Sequence, residues 1–178
     1  MQELLKQIKW QEVHSGSAYL YGTSIRFLED SVIFTNERLA SGKPLVTFLS
    51  KTHYQGNRCE PDLPVLIPNE KYVIESNISS EPLNRIFIQL NFFNRLGEKM
   101  SFEVLRDCKG EFLYPEEAYA YDVTVFSSGC SQMHFHDLSI YHKRQHDKVN
   151  EDTPPANCYQ ENQLPEALEF VKAHIQVK

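Results

Sequence analysis

Two imidazoles lie two residues apart in His134-Phe135-His136-Asp137. Alternate residues of an extended strand project to one side, so His134 and His136 are candidate ligands for one cation, with His142 or His146 as a further ligand. The same spacing suits histidines near a strand end that bond to backbone or water, and it puts them on one face with Leu138 and Ile140. A metal site needs several converging ligands, so no metal and no cofactor is assigned. Ser127-Ser128-Gly129-Cys130-Ser131 contains nucleophile types, yet its composition is that of a turn. Glu116-Glu117, Asp122 and Asp137 supply carboxylates. A glycosidase pair needs two carboxyls about 5–10 Å apart across a cleft, and solvated surface acids are the ordinary state. The sequence has no G-x-S-x-G elbow, P-loop, dinucleotide fingerprint or H-E-x-x-H. The expectation is a chain that is not an enzyme and works by binding.

The elements that must carry these residues read as strands. Turn signals recur from Gly22 to Gly129, among them Ser41-Gly42-Lys43-Pro44, Gln55-Gly56-Asn57, Pro68-Asn69 and Leu96-Gly97. Between them, Arg85 to Phe93 alternates, with Ile86, Ile88, Leu90 and Phe92 on one face and Phe87, Gln89, Asn91 and Phe93 on the other. Lys99–Leu105 groups Met100, Phe102 and Val104, and Leu96-Gly97-Glu98 joins the two runs as a hairpin. Further runs are Tyr19–Phe27, Val32–Phe34, Leu45–Ser50, Tyr72–Ile78, Tyr119–Phe126 and Met133–Tyr141. Short strands without long helices between them exclude a parallel α/β sheet. They predict an all-β, antiparallel, jelly-roll-like sandwich.

If Ile86, Phe102, Val123 and Leu138 face the core, the opposite faces carry Phe87, Gln89, Asn91, Phe93, Asp122, Thr124, Phe135, Asp137 and Tyr141. Rings stack on ligand faces while amides and acids fix orientation. Phe87, Gln89, Asn91 and Phe93 are therefore candidate partner- or glycan-binding residues, unless a second layer covers them. Tyr54, Gln55 and Arg58, in a polar-aromatic loop before a proline-rich stretch, are a second candidate group.

At 178 residues the chain has the length of one domain and needs no disulfide to hold its core. A net charge of −6 lacks the clustered cations of a nucleic-acid footprint. The start carries Glu3, Lys6 and Lys9 among its apolar residues, unlike a secretory signal, and no apolar run is long enough for a transmembrane segment. Cys59, Cys108, Cys130 and Cys158 are scattered, as in a reduced, cytoplasmic protein. Three parts are expected: a β-sandwich over residues 1–142 with a short N-terminal segment, a polar linker over 143–163, and a short amphipathic helix over 164–177. Leu164, Leu168, Val171 and Ile175 give that helix an apolar stripe that must dock on the same domain or on a partner. Leu4, Leu5 and Ile8 pose the same docking question.

Several segments together resemble a known family. They are Tyr19-Leu20-Tyr21-Gly22-Thr23-Ser24-Ile25-Arg26-Phe27, Val32-Ile33-Phe34-Thr35-Asn36, Ser41-Gly42, Tyr54-Gln55 with Pro61-Asp62-Leu63-Pro64-Val65-Leu66 and Tyr72, and Ile88 to Gly97. Their order and spacing are similar to the third of the Asp proteins of the accessory Sec system, which exports serine-rich-repeat glycoprotein adhesins in Gram-positive bacteria. The resemblance spans residues 10 to 142. It implies a sandwich similar to carbohydrate-binding modules and a non-catalytic, cytoplasmic scaffold or adaptor, peripheral at the membrane through its partners. Those implied partners are the sister Asp proteins, the accessory Sec ATPase and the adhesin as client. The alternative it raises is a module that recognises N-acetylglucosamine on the adhesin.

Overall fold

The computed structural model describes residues 2–13, 16–51, 55 and 60–143. The chain divides into two compact units, Met1–Arg144 and Gln145–Lys178. The expected linker beyond Lys143 and the helix over 164–177 lie outside the described residues, as do Tyr54, Arg58, Cys59, His146 and Cys158.

Ten strands, and no helix, form among the described residues: β1 Gln2–Ile8, β2 Ser24–Phe27, β3 Val32–Thr35, β4 Pro44–Leu49, β5 Lys71–Glu81, β6 Ile86–Phe93, β7 Lys99–Leu105, β8 Gly110–Leu113, β9 Ala120–Ser127 and β10 Gln132–Lys143. A six-stranded sheet runs β2-β3-β10-β5-β8, with β1 paired to β10; a four-stranded sheet runs β4-β9-β6-β7. Every strand pairing is antiparallel. The two sheets stack as a sandwich, and their inner faces bury Phe34, Ile74, Leu138 and Ile140 from one against Phe48, Leu90, Phe92, Val123 and Val125 from the other. Trp10, from the segment after β1, stacks on Phe34 at 6.5 Å and meets Phe135 edge-on at 6.1 Å. Burying a ring of this size contributes roughly 2–3 kcal/mol.

The alternation of β6 and β9 holds: Ile86, Ile88, Leu90 and Phe92 are buried, as are Tyr121, Val123 and Val125. Four expectations do not hold. The first is Phe102, placed in the core by its apolar neighbours. It pairs with Asn91, not Leu90, so it lies on the outer face and is 57 % exposed. Opposite residues of an antiparallel pair share a face, and Leu90 is opposite Glu103. The inward side of β7 is therefore Ser101, Glu103 and Leu105.

The second concerns β10. A bulge between Phe135 and Asp137 inserts His136 and reverses the alternation from there on. Met133 and Phe135 before it, and Leu138 and Ile140 after it, all reach the core. Phe135 is thus buried, not outward, and His134 and His136 do not share a face with Leu138 and Ile140.

Third, the run Tyr19–Phe27 is a strand only from Ser24. Gly22, at φ +69, and a Thr23 N–H to Leu20 C=O bond of 3.2 Å turn the chain before it. Asn36, 3 % exposed, donates to Tyr21 O and Thr23 Oγ1 at 2.9 Å each and accepts from Arg38 N at 3.0 Å, fixing that turn with Tyr21 85 % exposed at its tip.

Finally, Leu4, Leu5 and Ile8 belong to a strand. β1 adds to β10 beyond the stretch that β3 occupies; Ile8, facing Leu138, is buried, while Leu4 and Leu5 stay 52 % and 38 % exposed.

The flanks of the four-stranded sheet differ. β4 is covered along its free side: Tyr19 N donates to Leu45 O, Thr47 N to Ser17 O, Leu49 N to Asp62 Oδ2 and Leu63 N to Leu49 O. β7 has no such cover among the described residues, its only neighbour being β6.

Candidate binding face

The register sets the outer face of the four-stranded sheet in rows. Thr47, Thr124, Gln89 and Val104 stand side by side across β4, β9, β6 and β7; Leu49, Asp122, Asn91 and Phe102 form the next row. Phe126 and Phe87 lie beyond the first row, Ala120 and Phe93 beyond the second. Phe87, Gln89, Asn91 and Phe93 thus share one surface with Asp122 and Thr124.

A continuous hydrogen-bonded chain crosses it. Gln89 Nε2 donates to Asn91 Oδ1 at 2.6 Å, and Asn91 Nδ2 donates to Asp122 Oδ1 at 2.6 Å. Thr124 Oγ1 donates to the same Asp122 Oδ1 at 3.3 Å and lies 3.0 Å from Thr47 Oγ1. A carboxylate only accepts, so the Asn91 amide must turn its NH2 toward Asp122 and its oxygen toward Gln89. Both bonds converge on Oδ1, leaving Asp122 Oδ2 without a hydrogen-bond partner among the described residues. Burial pushes the Asp122 carboxyl above its ordinary value, while Asn91, Thr124 and the charge of Lys99 pull the other way.

Aromatic rings bound this polar strip. Phe87 and Phe126 stack in parallel, 5.2 Å apart and 6° from coplanar. At the other end Lys51 Nζ and Arg95 Cζ stand 5.1 and 5.8 Å from the centre of the Tyr119 ring, and Lys99 Nζ stands 4.8 Å from that of Phe102. The surface offers flat apolar faces beside acceptors in fixed positions, which suits a ligand rich in hydroxyl or amide donors. Sequence alternation found the four β6 residues. Thr47, Phe102 and Lys99 come from strands whose register only the paired sheet shows, and Lys51 and Arg95 from the segments that follow β4 and β6.

The other candidates are dispersed. Gln55 is exposed. His134 Nε2 lies 2.7 Å from Gln132 Nε2, and His136 is exposed at the bulge. His142 stacks on Tyr72 at 5.0 Å and reaches Glu70 at 3.4 Å. Among the described residues no three His, Cys, Asp or Glu side chains gather as metal ligands. Ser127 is buried, and its Oγ accepts from Gly129 N at 3.1 Å and Cys130 N at 3.2 Å, which is turn chemistry. No hydrogen bond between described residues joins a serine, threonine or cysteine to a histidine. Cys108 and Cys130 are free and buried, and burial raises the Cys108 thiol to about 11, away from the reactive thiolate form. A cleft of about 630 Å³ opens between β1 and β4, beside Trp10 and Lys6, and shares Thr47 with the face. No helix among the described residues is long and apolar enough to cross a membrane.

Residues 18–142 match the family described as accessory Sec secretory system ASP3. The chain belongs to this ASP3 family. The accessory Sec system protein ASP3 of Streptococcus gordonii is 38 % identical over 144 residues, covering 76 % of this chain and 91 % of that protein. A structure of accessory secretory protein 1, 2 and 3 in Streptococcus pneumoniae contains a chain of TM-score 0.73 and 34 % identity, with 78 % of this chain and 96 % of that one covered. The glycosylation-associated Gap123 complex of Streptococcus agalactiae gives 0.70 and 33 %, covering 80 % of this chain and 44 % of the other. The CBM22-1–GH10 modules of xylanase 10B of Clostridium thermocellum, complexed with xylohexaose, match at 0.52 with 12 % identity over 82 % of this chain and 29 % of that one, a likeness of fold. The ASP3 match begins at Ala18, so it leaves β1 and Trp10 outside while taking in the whole candidate face.

Proposed function

We propose that this ASP3-family chain is a non-catalytic scaffold or adaptor subunit of a cytoplasmic accessory Sec assembly that supports glycan modification and export of serine-rich-repeat adhesins. One observation carries the reading: the match spans nearly the whole described β-sandwich, and two similar chains occur in solved structures of multi-protein complexes, accessory secretory protein 1, 2 and 3 and Gap123. The hydrogen bonds described above offer no activated nucleophile, which favours binding over chemistry. On this reading its partners are the two companion subunits, the accessory Sec ATPase and the adhesin. Affinity purification of the native protein from cell extract tests the proposal. Recovery of the companion subunits and the ATPase is the expected result, and a protein that elutes alone overturns it.

The Gln89-Asn91-Asp122-Thr124-Thr47 chain between aromatic rings favours a second role within the same assembly, recognition of N-acetylglucosamine on the adhesin. Calorimetric titration with N-acetylglucosamine should give heat that Phe87→Ala or Phe93→Ala abolishes. No heat with the unaltered protein refutes that role and leaves the first intact.

A further inference from the structure

The free flank of β7 is unlike that of any other strand in the four-stranded sheet. β4, the opposite margin, has its outward backbone groups taken by Ser17, Tyr19, Asp62 and Leu63. β7 extends over Lys99–Leu105 with a bulge at Met100 and no proline; Leu105 O accepts from Cys108 N at 3.3 Å, and no other backbone bond beyond the β6 pairing reaches the strand among the described residues. Met100, Phe102 and Val104 are 37 %, 57 % and 43 % exposed along it. An uncovered margin with apolar side chains is a template for another strand, while Lys99, the bulge at Met100 and the inward Glu103 are features that turn unmatched strands away.

Glu103 says what kind of strand. It lies on the inward side of β7, opposite Leu90, half-buried and with no hydrogen bond or ion pair among the described residues. An added strand would enclose this carboxylate further, and enclosing an unpaired charge is costly. A lysine or arginine directly opposite would neutralise it, and a strand without one would be rejected. A second copy of this chain does not meet the requirement by pairing β7 with β7. The inward residues of β7 are Ser101, Glu103 and Leu105, none of them a cation, while Lys99 stands over the Phe102 ring on the outer face.

We propose that β7 is the docking edge for a companion subunit, which adds an antiparallel or parallel strand alongside Lys99–Leu105 and sets a basic side chain against Glu103. This rests on the assembly proposed above and adds to it a location and a partner chemistry. Phe102 and Val104, on the outer side, would then be covered at the border of the candidate binding face.

The test uses the full chain co-produced with the two companion subunits from the same genome. Amide hydrogen exchange of residues 99–105 is compared between the isolated chain and the assembly, and affinities are measured for Glu103→Lys and for Glu75→Lys. Glu75→Lys makes the same charge change on an exposed site of β5. Thermal melts of each variant alone establish folding. At least about tenfold slower exchange in β7, at least about tenfold weaker assembly for Glu103→Lys, and unchanged affinity for Glu75→Lys are expected. Unchanged exchange in β7 overturns the inference whatever the variants do, as does a folded Glu103→Lys chain that assembles like the unaltered one. If the unaltered chain itself does not assemble with the companion subunits, the proposed function falls first and the docking edge with it.

Discussion

Replacing Asn91 by alanine cuts the polar chain at its centre, and the structure says how much that costs and when. Asn91 is 8 % exposed and makes two bonds of 2.6 Å, one donated to the Asp122 carboxylate and one accepted from Gln89. A bond to a charged group contributes about 1.5–3 kcal/mol and a neutral one about 0.5–1.5. Water reaches the partly exposed Asp122 and Gln89 and recovers part of this, so Asn91→Ala should destabilise the domain by about 2 kcal/mol at neutral pH. Each kcal/mol shifts Tm by roughly 2–4 °C at this size, giving a fall of about 4–8 °C. The loss also depends on pH. Burial raises the folded-state pKa of Asp122, so its contribution to stability is full below the unfolded value and is lost as pH rises through the folded one. Asn91 lowers that pKa, so removing it pushes the carboxyl further up, and this part of the cost falls only where Asp122 is ionised, while the lost Gln89 bond costs the same at every pH. Urea unfolding at neutral pH and near pH 4, about the ordinary carboxylate value, should show the variant's deficit shrinking in acid. A deficit under about 0.5 kcal/mol at neutral pH, or one of equal size at both, refutes the reasoning.

Two further substitutions test other parts. Burial raises the folded-state pKa of Glu103, so the isolated chain loses stability as pH climbs through that value, and Glu103→Gln should remove the loss. Thermal melts should show the variant above the parent at neutral pH and level with it in acid; a variant that melts lower at neutral pH would mean the carboxylate is already compensated. Asn36→Ala strips three bonds from the Tyr21 turn and should cost about 2 kcal/mol by urea unfolding, with a cost below about 0.5 counting against the bracing role.

Where the chain alternates without interruption, its sequence is enough. β6 shows this best: one residue in two is apolar on the buried side, and the candidate residues Phe87, Gln89, Asn91 and Phe93 follow by elimination. The misread elements each have a local cause. β10 carries an inserted residue at His136, which no composition signal marks and which exchanges the two faces. β7 has apolar residues at alternate positions, but these lie outward because pairing with β6 sets Glu103 under Leu90. β1 reads as a short amphipathic segment, since its strand pairing comes from a neighbour more than a hundred residues away, Ile8 lying opposite Leu138. β8, Gly110–Leu113, is too short to show a period. The same limit applies to the site. Asp122 and Thr124 are visible as outward residues of β9, yet their junction with Thr47 and Asn91 exists only once three strands are in register.

β10 joins the six-stranded sheet to both ends of the described domain. Its first residues pair with β3, its last with β1, and its other side with β5 along most of its length. During synthesis the opening strand must therefore wait, unpaired, for the twelve residues Gln132–Lys143 to leave the ribosome. At roughly 5–20 residues per second that delay is many seconds, a span in which bare strand edges invite aggregation or a chaperone. A nascent chain stalled before Gln132 would leave β1, β3 and β5 with no common neighbour, so this sheet cannot be completed piecemeal as the polypeptide emerges.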